Sequence, residues 1–153
     1  MKKNQGFSLV ELIVVIAIMA VLVGVLAPAY LRYVEKSRKS TDVSSISDIM
    51  AAAEKVAIDP QFDLGAGSTF VLAGTGTLTM TVNPVASTAD ASNPAQDEWI
   101  AIAGNGYTCK SKEFKAVAMS FTGTLQAAGN VTWSISAAEL LAFSPDFAKK
   151  WQS

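Results

Sequence analysis

The chain has 153 residues, with 12 Lys and Arg against 13 Asp and Glu and a formal net charge of −1. That balance argues against a strongly cationic nucleic-acid surface, though not against a local basic patch. With no histidine the usual general base and commonest metal ligand are missing, and with one cysteine, Cys109, no intrachain disulfide can form.

The N-terminus carries a short basic leader with Lys2 and Lys3, then a small residue, Gly6, then an apolar run. From Leu12 to Leu31 there is no charge. As a helix this run is about 30 Å long, the thickness of a bilayer core. Glu11 stands at its start. An unpaired carboxylate in hydrocarbon costs several kcal/mol and usually marks function, which separates this end from a plain single-pass anchor. A secretory signal fits poorly, because its apolar region precedes the cleavage point and is discarded. Here the small-residue site precedes the apolar run, so a cut after Gly6 removes the basic leader and leaves the helix on the mature chain. The basic leader fits a cytoplasmic N-terminus.

Inside the run, Pro28 cannot donate to the carbonyl of Gly24, and glycine is itself a poor helix former. The Gly24 to Pro28 segment is therefore the expected place for a bend or a break, with a mild proline kink as the alternative in an isolated subunit. In a bilayer an unwound stretch leaves unpaired backbone groups, whereas packed neighbours in an assembly shield it. Arg32, Glu35, Lys36, Arg38 and Lys39 then mark the exit into water or headgroups, read as a solvated helix face. Beyond Val43, Ile46, Ile49, Met50, Ala53, Val56 and Ala57 recur at three- and four-residue steps, so one stripe faces a core. Asp59-Pro60 stops the helix.

The remainder reads as strands. Ser68 to Ala73 and Thr77 to Val82 flank Gly74-Thr75-Gly76, a hairpin signal. In the second strand Leu78, Met80 and Val82 alternate with threonines, giving one buried and one hydroxylated face. Asn83 to Gln96 reads as a surface loop. Trp99 to Ala103 and Tyr107 to Lys110 flank Gly104-Asn105-Gly106, a second hairpin signal, and Ala116 to Phe121 and Val131 to Ser136 supply two more strands. Ser136-Ala137-Ala138-Glu139 has the form of a capping box, predicting a short helix that ends near Pro145. The expected fold class is α+β, a long N-terminal helix packed on a mostly antiparallel sheet. The expected domains are a leader over 1–6, a helix over 7–59 whose 7–31 part is the transmembrane and assembly segment, and a β-rich head over 60–153.

Catalytic chemistry is hard to find, and no enzyme, cofactor or metal is expected. The chain has neither a P-loop nor a Rossmann glycine pattern, and a lone cysteine without histidine makes a poor protease candidate. Asp97-Glu98 reads as a solvated pair at a loop end rather than half of a calcium site. Trp99 and Trp133 are expected in the core, and Trp151 exposed beside Lys149 and Lys150.

The stretch Gly6-Phe7-Ser8-Leu9-Val10-Glu11-Leu12-Ile13-Val14-Val15-Ile16-Ala17-Ile18 resembles the class III signal of type IV pilins and pseudopilins. The resemblance covers about the first third of the chain. It implies cleavage between Gly6 and Phe7 by prepilin peptidase, a membrane aspartyl protease, followed by N-methylation of Phe7. It places the family's glutamate on Glu11 and its helix proline on Pro28, while Ser8 stands where threonine is common. Many type IV pilins staple a C-terminal loop with a disulfide, and this chain departs from that pattern. The implied function is a structural subunit, a major pilin, of an extracellular type IV pilus. Its implied partners are further copies of itself in a helical filament, prepilin peptidase and the inner-membrane assembly platform, with no specific nucleic acid. The subunit is expected as a single-pass membrane protein before assembly and at the cell surface afterwards. A pseudopilin of a type II secretion or DNA-uptake system and an adhesive minor pilin share the same motif. In each case a new amine at Phe7 is expected to pair with Glu11 of a neighbour, or with its own Glu11 four residues on.

Overall fold

The computed structural model describes residues 7–85 and 93–151. Gly6 and the leader lie outside the described residues, as do residues 86–92 of the expected Asn83 to Gln96 loop, whose end from Pro94 is helical. The chain divides into two compact units, residues 1–36 and 37–153.

The first unit contains the start of α1, a helix spanning Leu9–Ala57. It is long and apolar enough to cross a membrane. The helix runs unbroken through Gly24 and Pro28, and a Cβ added at Gly24 would meet nothing within 4 Å. The glycine is therefore not required by close packing within this chain.

The second unit is the head. Its sheet has five strands in the order β3-β2-β1-β4-β5, every neighbouring pair antiparallel. The strands are β1 Thr69–Thr75, β2 Thr77–Asn83, β3 Tyr107–Thr108, β4 Ala118–Leu125 and β5 Val131–Ser136. β1 and β2 form the expected hairpin, closing at Thr75 opposite Thr77 around Gly76, whose φ of 72° suits a residue without a side chain. On β2 the apolar positions are buried and the threonines exposed, as alternation requires. The buried face meets the Ile46 to Ala57 stripe of α1, and Ile46, Met50 and Ala53 are fully inaccessible to solvent. Around them Trp99 meets Phe70 edge-on at 5.6 Å between ring centres, and Phe121 meets Phe147 at 6.1 Å. On β4, Gly123 leaves room for the facing strand: a Cβ there would lie 2.8 Å from Val131 and 3.0 Å from the Trp133 ring.

Several expectations fail in this unit, each for a local reason. Trp99 to Ala103 is not a strand but the second half of helix α2, Pro94–Ala103. Asn93 accepts the Gln96 N–H at 3.2 Å, Pro94 opens the first turn, and Ala95 and Trp99 are buried four residues apart. Gly104-Asn105-Gly106 is accordingly the exit from that helix, not a hairpin. Gly104 has a φ of 90° and returns its N–H to the Ile100 carbonyl at 2.8 Å. The strand expected to Lys110 pairs only at Tyr107 and Thr108. An unforeseen helix α3, Lys112–Ala116, follows, because the Ser111 hydroxyl accepts the Phe114 N–H at 3.3 Å. β4 then starts two residues later than expected and runs to Leu125.

The capping box at Ser136 does not form. Ser136 stays in β5 opposite Ser120, and helix α4, Ala138–Phe143, starts after Ala137 with no side-chain cap. Pro145 does not close the C-terminal region but opens another helix, α5, Pro145–Trp151. α5 turns Trp151 inward, 6% exposed and edge-on to Trp133 at 6.1 Å, so this tryptophan belongs to the core rather than the surface.

Candidate functional site

The start of α1 is built from Ser8 and Glu11. The Glu11 carboxylate accepts the Ser8 N–H at 2.9 Å, and the Ser8 hydroxyl accepts the Val10 N–H at 3.4 Å. Three residues apart, they form the reciprocal capping arrangement that uses up donors left over at a helix start. The negative charge also lies at the positive end of the helix. The pattern Ser-x-x-Glu is legible in the sequence at this point, as it is at Ser136.

Phe7 is 92% exposed. Every large apolar side chain from Leu12 to Leu31 is 45% to 71% exposed among the described residues. Glu11, Gly24 and Pro28 thus share one exposed helical segment, Phe7 lies two residues ahead of its start, and Gly6 lies outside the described residues. An apolar helix of this kind needs a lipid or protein environment.

The head holds a second polar centre, which the sequence reading did not single out. Asp42 lies on α1 with no solvent exposure. Its carboxylate accepts the Tyr107 hydroxyl at 2.6 Å, the Lys110 N–H at 2.8 Å and the Ser111 N–H at 2.8 Å. A charge without water is tolerated only when hydrogen-bonded in this way. The signal was available: Asp42 lies four residues before Ile46 and seven before Ile49, in line with the buried stripe. Burial, with Asp42 as hydrogen-bond partner, pushes the Tyr107 hydroxyl from 10.0 to about 12. Burial and the Asp42 charge push the Cys109 thiol from 9.0 to about 11.

Other ties fix α1 in the head. Lys39 pairs with Glu113 and lies 5.7 Å and 5.5 Å from the ring centres of Phe114 and Phe143. The Trp99 indole N–H donates to the Ile49 carbonyl at 2.9 Å, and that of Trp133 to Glu54 at 3.1 Å. Among the described residues no cluster of three or more acidic or cysteine side chains could hold a metal ion.

The family-model match reaches into the same helix. Residues 1–27 match the family model described as a prokaryotic N-terminal methylation motif. Two fimbrial proteins of Pseudomonas aeruginosa are each 31% identical over 88 residues, half of this chain and 57% of each relative. Fimbrial protein Q of Moraxella bovis is 39% identical over 59 residues, 39% of this chain and 34% of that protein. The chain thus carries a prokaryotic N-terminal methylation motif and is similar to fimbrial proteins over part of its length. The matched span covers little more than half the length of the Pseudomonas relatives. No solved structure gives a significant match. Within this pilin-like fold, the methylation motif coincides with the exposed apolar helix and its Ser8–Glu11 cap.

Two outcomes follow for the head. Asp42→Ala strands the Tyr107 hydroxyl and two backbone donors, and is expected to cost on the order of 3 kcal/mol in denaturant unfolding. Asp42→Asn keeps an acceptor and should cost less. Separately, stability should fall as pH rises from about 9 toward about 12. In that window the unfolded chain releases the Cys109 and Tyr107 protons while the folded chain still holds them, so rising pH favours unfolding. Thermal melts of the full chain in detergent are expected to show this decline, with Tyr107→Phe flattening its upper part. Cys109→Ser should flatten its lower part and leave the melt at neutral pH nearly unchanged.

Proposed function

We propose that this chain is a structural subunit, the major pilin, of an extracellular type IV filament. The observation that carries the reading is the exposed apolar half of α1, headed by an acid. Prepilin peptidase cuts between Gly6 and Phe7, and the new amine of Phe7 is methylated. The subunit waits in the membrane as a single-pass protein and is then transferred by the assembly platform into the filament. There the apolar helices of neighbouring copies replace lipid around Leu12 to Leu31, and apolar burial supplies most of the association energy. The Phe7 amine pairs with Glu11 of a neighbour, which must first release the Ser8 N–H that it caps in the free subunit. Burying the two charges as a pair costs far less than burying either alone, so the pair sets the axial register.

The test separates insertion from assembly. Glu11→Leu makes the helix more apolar, so the variant is expected in the membrane fraction at normal level and absent from sheared surface filaments. Normal filament yield would remove Glu11 as the assembly determinant. N-terminal sequencing of mature protein should begin at Phe7, and an intact Met1 would overturn the processing step. Immunogold label along surface fibres fits a major pilin, and label at fibre tips fits a minor one. Protein confined to the envelope, with a secretion defect on deletion, fits a pseudopilin.

We also propose that the Gly24 to Pro28 segment loses helical hydrogen bonds within the filament, although α1 is continuous in the free chain. Pro28 brings no donor, and packed neighbours can shield the opened backbone. Gly24→Ala combined with Pro28→Ala is expected to straighten the helix and change filament extensibility or yield. A filament map with unbroken helix through Pro28 would contradict this.

A further inference from the structure

One end of the head gathers basic charge. The head begins at Ser37 on α1, and within two turns α1 meets the segment 110–116. There Lys39 pairs with Glu113, and Asp42 accepts the N–H groups of Lys110 and Ser111. The tip of the β1–β2 hairpin lies at the same end: Gly76 packs against the Lys115 backbone, and its carbonyl accepts the Cys109 N–H at 2.9 Å. Over residues 37–42 and 110–116 the exposed charged side chains are Arg38, Lys110, Lys112, Lys115 and Glu113. Glu113 is engaged by Lys39, and Asp42 is buried beneath its donors. The hairpin turn from Gly74 to Thr77 adds no charge. Over the other described residues beyond Asp42 the head carries eight acidic side chains and three lysines, so the two signs are segregated.

We infer that this basic end is a docking surface for anionic phospholipid headgroups, which holds the head against the leaflet while the subunit is anchored. The inference rests on the membrane-anchored state of the proposed function and not on the filament. Charge complementarity and reach select this partner. The patch presents four cations from two chain segments that the fold brings together, and phosphodiester headgroups are anionic. The uncharged run ends at Leu31, six residues before Ser37, and six residues reach at most about 20 Å in any conformation. A membrane around that run therefore keeps this end of the head beside the headgroups. Each Lys or Arg near an anionic surface strengthens attachment about fivefold, and the attraction fades over about 10 Å at 0.1 M salt. The long lysine arms let the ammonium groups extend to the headgroup level while α3 stays packed on the head.

The experiment uses full-length protein reconstituted in vesicles of phosphatidylcholine, alone or with phosphatidylglycerol added. The rate at which each lysine reacts with an uncharged amine reagent is read by mass spectrometry. Phosphatidylglycerol is expected to slow Lys112 and Lys115 about fivefold and to leave the exposed Lys55 and Lys149 unchanged, with the protection lost in high salt. Lys112→Gln combined with Lys115→Gln, both at exposed positions, should return Lys110 to its rate in neutral vesicles. Equal rates at Lys112 and Lys115 in the two kinds of vesicle overturn the inference. So does equal slowing of Lys55 and Lys149, which marks a general surface effect. Protection in neutral vesicles that grows with protein density assigns the patch to a second copy instead. Protection by a DNA duplex but not by phosphatidylglycerol assigns it to nucleic acid. Protein that does not float with the vesicles overturns the anchored state and takes the inference with it, whereas normal flotation without protection overturns the inference alone.

Discussion

A carboxylate buried without water has to find its donors inside the protein, and the head is organised around that requirement at Asp42. Its donors come from the edge strand β3 and from the segment joining it to α3: the Tyr107 hydroxyl and the Lys110 and Ser111 N–H groups. Ser111 in turn caps α3 through its hydroxyl. One charge on α1 thus fixes where β3 ends and where α3 begins. Burial first, and the Asp42 carboxylate second, raise the proton affinity of the neighbouring Tyr107 and Cys109. In a chain with no intrachain disulfide, such long-range ties hold segments together by hydrogen bonding and packing alone.

The same logic repeats along the helix. Trp99 and Trp133 each bury an indole face and send the N–H to α1, at Ile49 and Glu54. α5 closes the far side, with Phe147 and Trp151 against Phe121 and Trp133, and Lys150 donating to Ser47. The sheet edge is served in a similar way. β3 covers β2 only at Thr77 and Leu78. Farther along, Gln96 accepts the Val82 N–H and Asn93 donates to the Val82 carbonyl, so α2 side chains stand in for a missing strand.

The N-terminal half of α1 obeys the opposite rule. The head buries most of its large apolar side chains, while those from Leu12 to Leu31 are exposed among the described residues. The backbone there is satisfied within the helix, so it tolerates lipid, and the side chains are a surface awaiting a partner. Glu11 fits both settings, because in the free chain its charge is already engaged with the Ser8 N–H at the helix start.

The sequence by itself determined the long helix, its uncharged half, the buried stripe from Ile46 to Ala57 and the first hairpin. Each rests on a periodicity or a turn signal that lies within a few residues. It also carried the motif from Gly6 to Glu11, because a basic leader, a small residue and an acid ahead of an apolar run are linear features. Only the tertiary structure decided the state of residues 94–116. There Trp99 to Ala103 is a short apolar run beside a glycine turn, which reads as a strand, yet capping by Asn93 and Pro94 and burial of Ala95 with Trp99 make it helix. Two Ser-x-x-Glu patterns look alike in the chain. Ser8 caps a free helix start, whereas Ser136 is held in β5 by pairing with Ser120. Asp42 reads as one more polar residue on a helix until its donors arrive from 65 or more positions away. Such contacts have no local signature, because they come from chain segments that only the fold brings together.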